Sequence, residues 1–296
     1  MKSFKRHLEE KLVIVGQGKR YGQVIFLAGG SGSGKDFAIN NFIHSLDYKI
    51  FDPDAIKDPY LKWNELKNKY PQLKGKNQRN PEDASYVHEF LRDVVKLEDR
   101  MMDSFFFNLM RKPDKTTLPN IIFNRTFKSN VDFERLVPAL LAAGYQKENM
   151  HLIWVLTNYK VALQANLGRD RVVPSAILVQ THSGTAETMK SMLTDKYPSK
   201  TINGDAFIIL GGKENTFFIK RPKDAPKTRI PVLGAPETSV PQVVDEFQYI
   251  KVKNAGQPIK SSTAITNTIF YWIMNNAPDR DALIKYLNFE DEFTKQ

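Results

Sequence analysis

The chain contains no cysteine. Disulfide bridges, thiolate metal sites and cysteine nucleophiles are thereby excluded, and a reducing compartment is unremarkable for it. Its five histidines show no ligand spacing, so each reads as a surface or core residue. An apolar run of about 18 residues, enough to cross a membrane, is also missing. The opening MKSFKRHLEEKLVIVG is charged through its first eleven residues and apolar only briefly, unlike a signal peptide. A soluble, cytoplasmic protein is expected, in the host cytoplasm if the chain is viral, with no membrane partner. Acidic residues are in short supply, 33 against 43 Lys and Arg, which leaves a net charge of +10. That balance suits a polyanionic partner such as nucleic acid, although solvated lysine faces produce the same excess.

The most informative stretch is VIFLAGGSGSGKD, residues 24–36. Its apolar start predicts a buried strand, and the amphipathic FAINNFIHSL that follows predicts a helix. Between them Gly29, Gly30, Ser31, Gly32, Ser33, Gly34 and Lys35 fit the Walker A spacing G-x-x-x-x-G-K. Glycines there let successive backbone N–H groups point at a phosphate, the lysine reaches the β/γ oxygens, and the helix adds its positive dipole end. ATP and Mg²⁺ are the cofactors this loop predicts. The pattern usually closes with Ser or Thr, whose hydroxyl meets the metal. Here Asp36 stands in that place, a harder and charged oxygen ligand able to hold Mg²⁺ directly or through water.

Further strands are expected at 48–51, 119–123, 151–156 and 207–210, with 216–219 returning after Gly211 and Gly212 as a hairpin partner. Helices are expected over 81–110, 131–143, 159–167 and up to about 194, the first opening on Asn80 as N-cap and Pro81 at N1. Strands alternating with helices predict an α/β fold, a kinase-type P-loop NTPase with three layers and a mostly parallel five-stranded sheet. Residues 58–81 are lysine-rich and read as an exposed insertion. Three parts are expected: a basic helix and connector over 1–20, the P-loop kinase domain over 21–222, and a proline-rich linker with a small C-terminal appendage over 223–296.

In such sheets ligands sit beyond the carboxyl ends of the strands. Asp54, just past the second strand and expected beside the first, is the candidate base for a hydroxyl acceptor, with Asp52 as its competitor. Asp52, Asn124 and Arg125 are candidate substrate-binding residues, Arg125 for the acceptor or a phosphate. Arg169 and Arg171 follow a helix stop and precede Pro174, which suits a lid carrying guanidinium groups over phosphates. With Lys35 and Asp54 they complete the expected catalytic set.

Together GGSGSGKD, YKIFDPDAIKD, NIIFNRTFKS, HLIWVLTNY, RDRVVP and AFIILGGKENTFFIK resemble the zeta toxin and polynucleotide kinase group of P-loop kinases, over residues 22–221. The resemblance implies that the second aspartate of the pair, Asp54, takes the hydroxyl proton, and that Arg169 and Arg171 are lid arginines near the γ-phosphate. Zeta toxins carry a glutamate for their sugar-nucleotide substrate at the third strand tip, where this chain has FNRT. The GSGKD variant, the basic charge and the extra tail are similar to bacteriophage P-loop kinases, including those that phosphorylate 5-hydroxymethyluracil in phage DNA. The expected activity is therefore an ATP-dependent phosphotransferase with an alcohol acceptor on nucleic acid or a nucleotide. The alternatives are a zeta toxin-like kinase of a small metabolite or sugar nucleotide, and a non-enzymatic nucleotide-binding assembly protein.

Overall fold

The computed structural model of the chain describes residues 13–16, 21–43, 48–169, 171–194, 202–212, 216–220, 242–259, 263, 265–267 and 269–270. Alternation along β1 (Val24–Ala28) sets up its two cores. All five residues are buried, and successive side chains of a strand point to opposite faces. Val24, Phe26 and Ala28 join the larger core, with α5 (Leu97–Met110), α6 (Val131–Ala143) and α8 (Ser175–Thr194) supplying Met102, Phe106, Phe133, Leu136 and Met189. Ile25 and Leu27 join the smaller one, where α1 (Lys35–Asn41) contributes Ala38 and Ile39. A strand apolar on both sides needs cover on both, which yields the three-layer sandwich expected from the sequence.

The main sheet runs β2 (Tyr48–Phe51), β3 (Asn120–Asn124), β1, β4 (Met150–Leu156), β5 (Ala206–Leu210), β8 (Tyr249–Lys253). The first five strands are parallel and β8 is antiparallel to β5, so the sheet is mostly parallel with one strand added. The second strand does not lie beside the first, as expected from the sequence: β3 stands between them. Burial explains the order. Ile121, Ile122 and Phe123 are wholly buried, as an interior strand requires, whereas β2 exposes Lys49 and Ile50 and suits an edge.

The expected hairpin is replaced too. Strand β6 (Thr216–Lys220) pairs with β7 (Gln242–Phe247) in a separate two-stranded ribbon, leaving the β5 edge to β8. Val252, Ile265 and Ile269, from the stretch expected to form an appendage, are buried in the larger core. The long helix expected over 81–110 is two helices, α4 (Pro81–Asp93) and α5, separated by Lys96 in a left-handed conformation (φ 52°). Breaking the helix lets its apolar positions serve two cores. Val87, Phe90, Leu91, Val95 and Leu97 pack with Leu66 and Leu73 in a small helical arm, while Met102 and Phe106 reach the main core. That arm includes α2 (Pro53–Lys62) and α3 (Asn64–Lys69), short helices within the lysine-rich insertion. The expected helix in 1–12, the proline-rich linker and the last helix lie outside the described residues.

Candidate active site

The glycine loop leaves the carboxyl end of β1 and is shaped by its surroundings. Gly32 and Gly34 take left-handed backbone angles (φ 75° and 87°), and a Cβ at Gly32 would lie 2.7 Å from the Ala162 carbonyl oxygen. Only glycine fits there without strain. Thr157, at the tip of β4, donates from Oγ1 to the Ser33 carbonyl at 2.8 Å. On the far side α8 grips the loop: Ser31 N–H donates to Thr181 Oγ1 (3.1 Å), and His182 Nε2 lies 2.9 Å from the Ser31 carbonyl. A carbonyl only accepts, so Nε2 carries the proton of that bond. Burial pushes the His182 pKa down to about 4, with the Ser31 bond opposing and Lys35 reinforcing the shift. Thr181 and His182 have no motif, and reading them as ordinary helix residues misses their hold on the loop.

Lys35 folds back across the loop, donating from Nζ to the carbonyls of Gly29 (2.8 Å) and Gly30 (3.1 Å). Burial lowers its pKa to about 8, against the raising influence of Asp36, Asp54 and Asp52, with Arg169 adding to the fall. Those interactions place all four charged groups within electrostatic reach of the loop lysine. Asn124, at the end of β3, joins two of them: its Nδ2 donates to Asp36 Oδ1 at 2.7 Å and to Asp52 Oδ2 at 2.9 Å. Asp52 also caps α2, accepting from the Asp54 and Ala55 N–H groups. Burial and the charges of Asp54 and Asp36 raise its pKa above the usual carboxylate value.

Asp54 opens the first turn of α2 and meets the lid. Arg171 grips it with two bonds, Nη1 to Oδ1 at 3.1 Å and Nη2 to Oδ2 at 2.6 Å, while Lys57 Nζ donates to Oδ1 at 2.6 Å. Partial burial works against ionisation, yet Lys57 and Arg171 prevail and hold the carboxyl well below its usual range. Lys57 is itself buried and also meets His88 Nδ1 at 2.8 Å, another partnership with no signature in the sequence beyond its place three residues after Asp54. The lid is pinned twice. Val172 N–H donates to the Gln78 carbonyl of the arm (3.0 Å), and Val173 exchanges two bonds with the Asn166 side chain of α7 (Tyr159–Leu167).

Arg125 is the residue the structure leaves out. Instead of facing an acceptor or a phosphate it pairs with Glu98 (2.5 Å) and Asp132 (3.1 Å), acidic groups at the starts of α5 and α6. Lys35, Asp36, Asp52, Asp54, Asn124 and Arg171 are brought together in one linked cluster, with Arg169 acting on Lys35.

A family model described as Zeta toxin matches residues 10–197. The chain belongs to the zeta toxin family. Among solved structures, the crystal structure of AvrRxo1-ORF1:AvrRxo1-ORF2 with sulphate ions aligns at 11% identity and a TM-score of 0.42, covering 95% of this chain and 79% of that one. That likeness is too distant to bear on function. No curated protein matches the chain. As a zeta toxin family member it is a kinase-type P-loop protein, and the family implies ATP as its phosphoryl donor. Among the described residues no helix is long and apolar enough to cross a membrane.

Proposed function

We propose that this zeta toxin family member moves the γ-phosphate of ATP to a hydroxyl on nucleic acid or a nucleotide, 5-hydroxymethyluracil in DNA being the specific candidate. One observation supports the chemistry above all. A carboxylate, a lysine and two lid arginines meet at the carboxyl ends of β1 and β2, where phosphoryl transfer needs a base, a phosphate grip and cations for the developing charge. In this reading Asp54 is the base, Lys35 and the loop amides hold the phosphates, and Arg169 and Arg171 close over them. The net charge of +10 supports a polyanionic acceptor.

The arrangement also supports an order of events. Without nucleotide, Arg171 and Lys57 hold Asp54 ionised but weakly basic, and Lys35 is parked on two loop carbonyls. A triphosphate is a better partner than either for both cations. Arg171 leaving for the phosphates removes one of the two cations on Asp54 and raises its basicity as the donor is seated. The Asp36 carboxylate, standing beside the loop where a hydroxyl is usual, fits Mg²⁺ by chemistry. When bound, the ion would supply charge neutralisation at the phosphates.

Family membership supports a second reading, in which the same machinery serves a small metabolite. Transfer of γ-labelled ATP into a panel of 5-hydroxymethyluracil DNA, unmodified DNA, RNA, nucleotides and metabolites tests both. Label on nucleic acid or nucleotide, lost in Lys35→Ala and Asp54→Asn, is the expected result. Label confined to a metabolite gives the second reading, and no label in any acceptor ends the assignment.

A further inference from the structure

We infer that Asp36, Asp52 and the side-chain oxygen of Asn124 form a three-oxygen divalent cation site, which takes the place of the loop hydroxyl this chain lacks. The inference deepens the kinase reading and rests on it. Two carboxylates point at one amide nitrogen, Asp36 Oδ1 at 2.7 Å and Asp52 Oδ2 at 2.9 Å. Like charges converging on one point need a positive partner there, and two amide N–H groups supply only partial charges.

A second observation lies on the same side chain. Asn124 is 6% exposed, and its Oδ1 is buried with no hydrogen-bond partner. Leaving a buried carbonyl oxygen unmet costs about 1–3 kcal/mol. The cost is removed by half a turn of the carboxamide about its Cβ–Cγ bond, which exchanges Nδ2 and Oδ1. Three oxygens then surround the place that the N–H groups held. Oxygen ligands of this kind, two of them anionic, suit Mg²⁺ or Mn²⁺, with water and phosphate oxygens completing the shell. The amide is thus a placeholder: a donor between two carboxylates without metal, an acceptor with it.

The site also explains why a departure at position 36 is tolerable. An aspartate beside a triphosphate repels it unless a cation intervenes, and β3 standing between β1 and β2 is what brings Asn124 to both carboxylates.

The test is a Mn²⁺ titration of the full chain without nucleotide, followed by the paramagnetic resonance of the free aquo ion. Circular dichroism and Tm of every variant guard against misfolding. One bound Mn²⁺ is expected in the native chain, with affinity about tenfold or more weaker in Asp52→Asn and in Asn124→Leu. Asn124→Asp separates the readings. It loses the same donated hydrogen bonds as Asn124→Leu but keeps an oxygen, so it should bind Mn²⁺ at least as tightly as the native chain while lowering the metal-free Tm. Asn124→Asp binding as weakly as Asn124→Leu, equal Mn²⁺ affinity in all variants, or no uptake by the native chain overturns the inference. Because the measurement needs no phosphoryl transfer, the cation site and the kinase reading can fail separately.

Discussion

Asp54 carries the heaviest demand of any residue in the site, because the cations that orient it also suppress its basicity. Asp54→Asn keeps the shape and one accepting oxygen but cannot take a proton. Its kcat should fall by about 10²–10⁴-fold with ADP affinity, measured by calorimetry, nearly unchanged. Arg171→Ala should lower kcat as well, through the lost phosphate contact, even though it frees the base. His182 makes a pH prediction. Its folded pKa of about 4 lies below the ordinary 6.5, so between those values the unfolded chain binds more protons and stability falls as pH falls. Near pH 4 the loss should reach roughly 3 kcal/mol. His182→Gln, which retains a donor for the Ser31 carbonyl, should flatten the dependence of the urea midpoint between pH 4 and 7. At this scale the loop was legible, since six consecutive positions and a lysine define it. Asn124 and Arg125 were not. Their partners, Asp36, Asp52, Glu98 and Asp132, are distant or ambiguous in sequence, and only the strand order decides which are met.

Among the elements, those buried on both faces were plainest in the sequence. β1, β3, β4 and β5 announce themselves as continuous apolar runs. Order within the sheet is a different matter, because which strand neighbours β1 depends on burial summed over both layers. The fate of 81–110 shows the same limit: an unbroken apolar pattern masks a break when successive turns serve different cores. β8 was the least expected member, pairing with β5 from across the proline-rich stretch. Its Val252 is wholly buried in the main core, so Val252→Ala should cost roughly 2 kcal/mol in chemical denaturation. Removing everything after residue 241 exposes the β5 edge and takes Val252, Ile265 and Ile269 from the core. Such a truncation should aggregate or lose its cooperative transition, as followed by light scattering during a thermal melt.

For the molecule as a whole, net charge makes the clearest prediction. If the acceptor is a nucleic acid strand, its binding releases counterions from each phosphate that a lysine or arginine neutralises. A contact spanning about three phosphates of a single strand should weaken roughly tenfold or more when salt is raised fourfold. Phosphorylation of a free, uncharged nucleoside should show no comparable loss, so salt titrations of KM for the two acceptors tell the cases apart.

The two fastenings of the lid bear on how it can travel. Val172 is tied to Gln78 and Val173 to Asn166, so the segment bearing Arg171 is strung between the helical arm and α7 rather than hanging from one hinge. A guanidinium drawn toward a nucleotide therefore pulls on both supports at once. Amide exchange at Val172 and Val173 should respond to ADP in step, making the arm a mechanical reporter of what the glycine loop is holding.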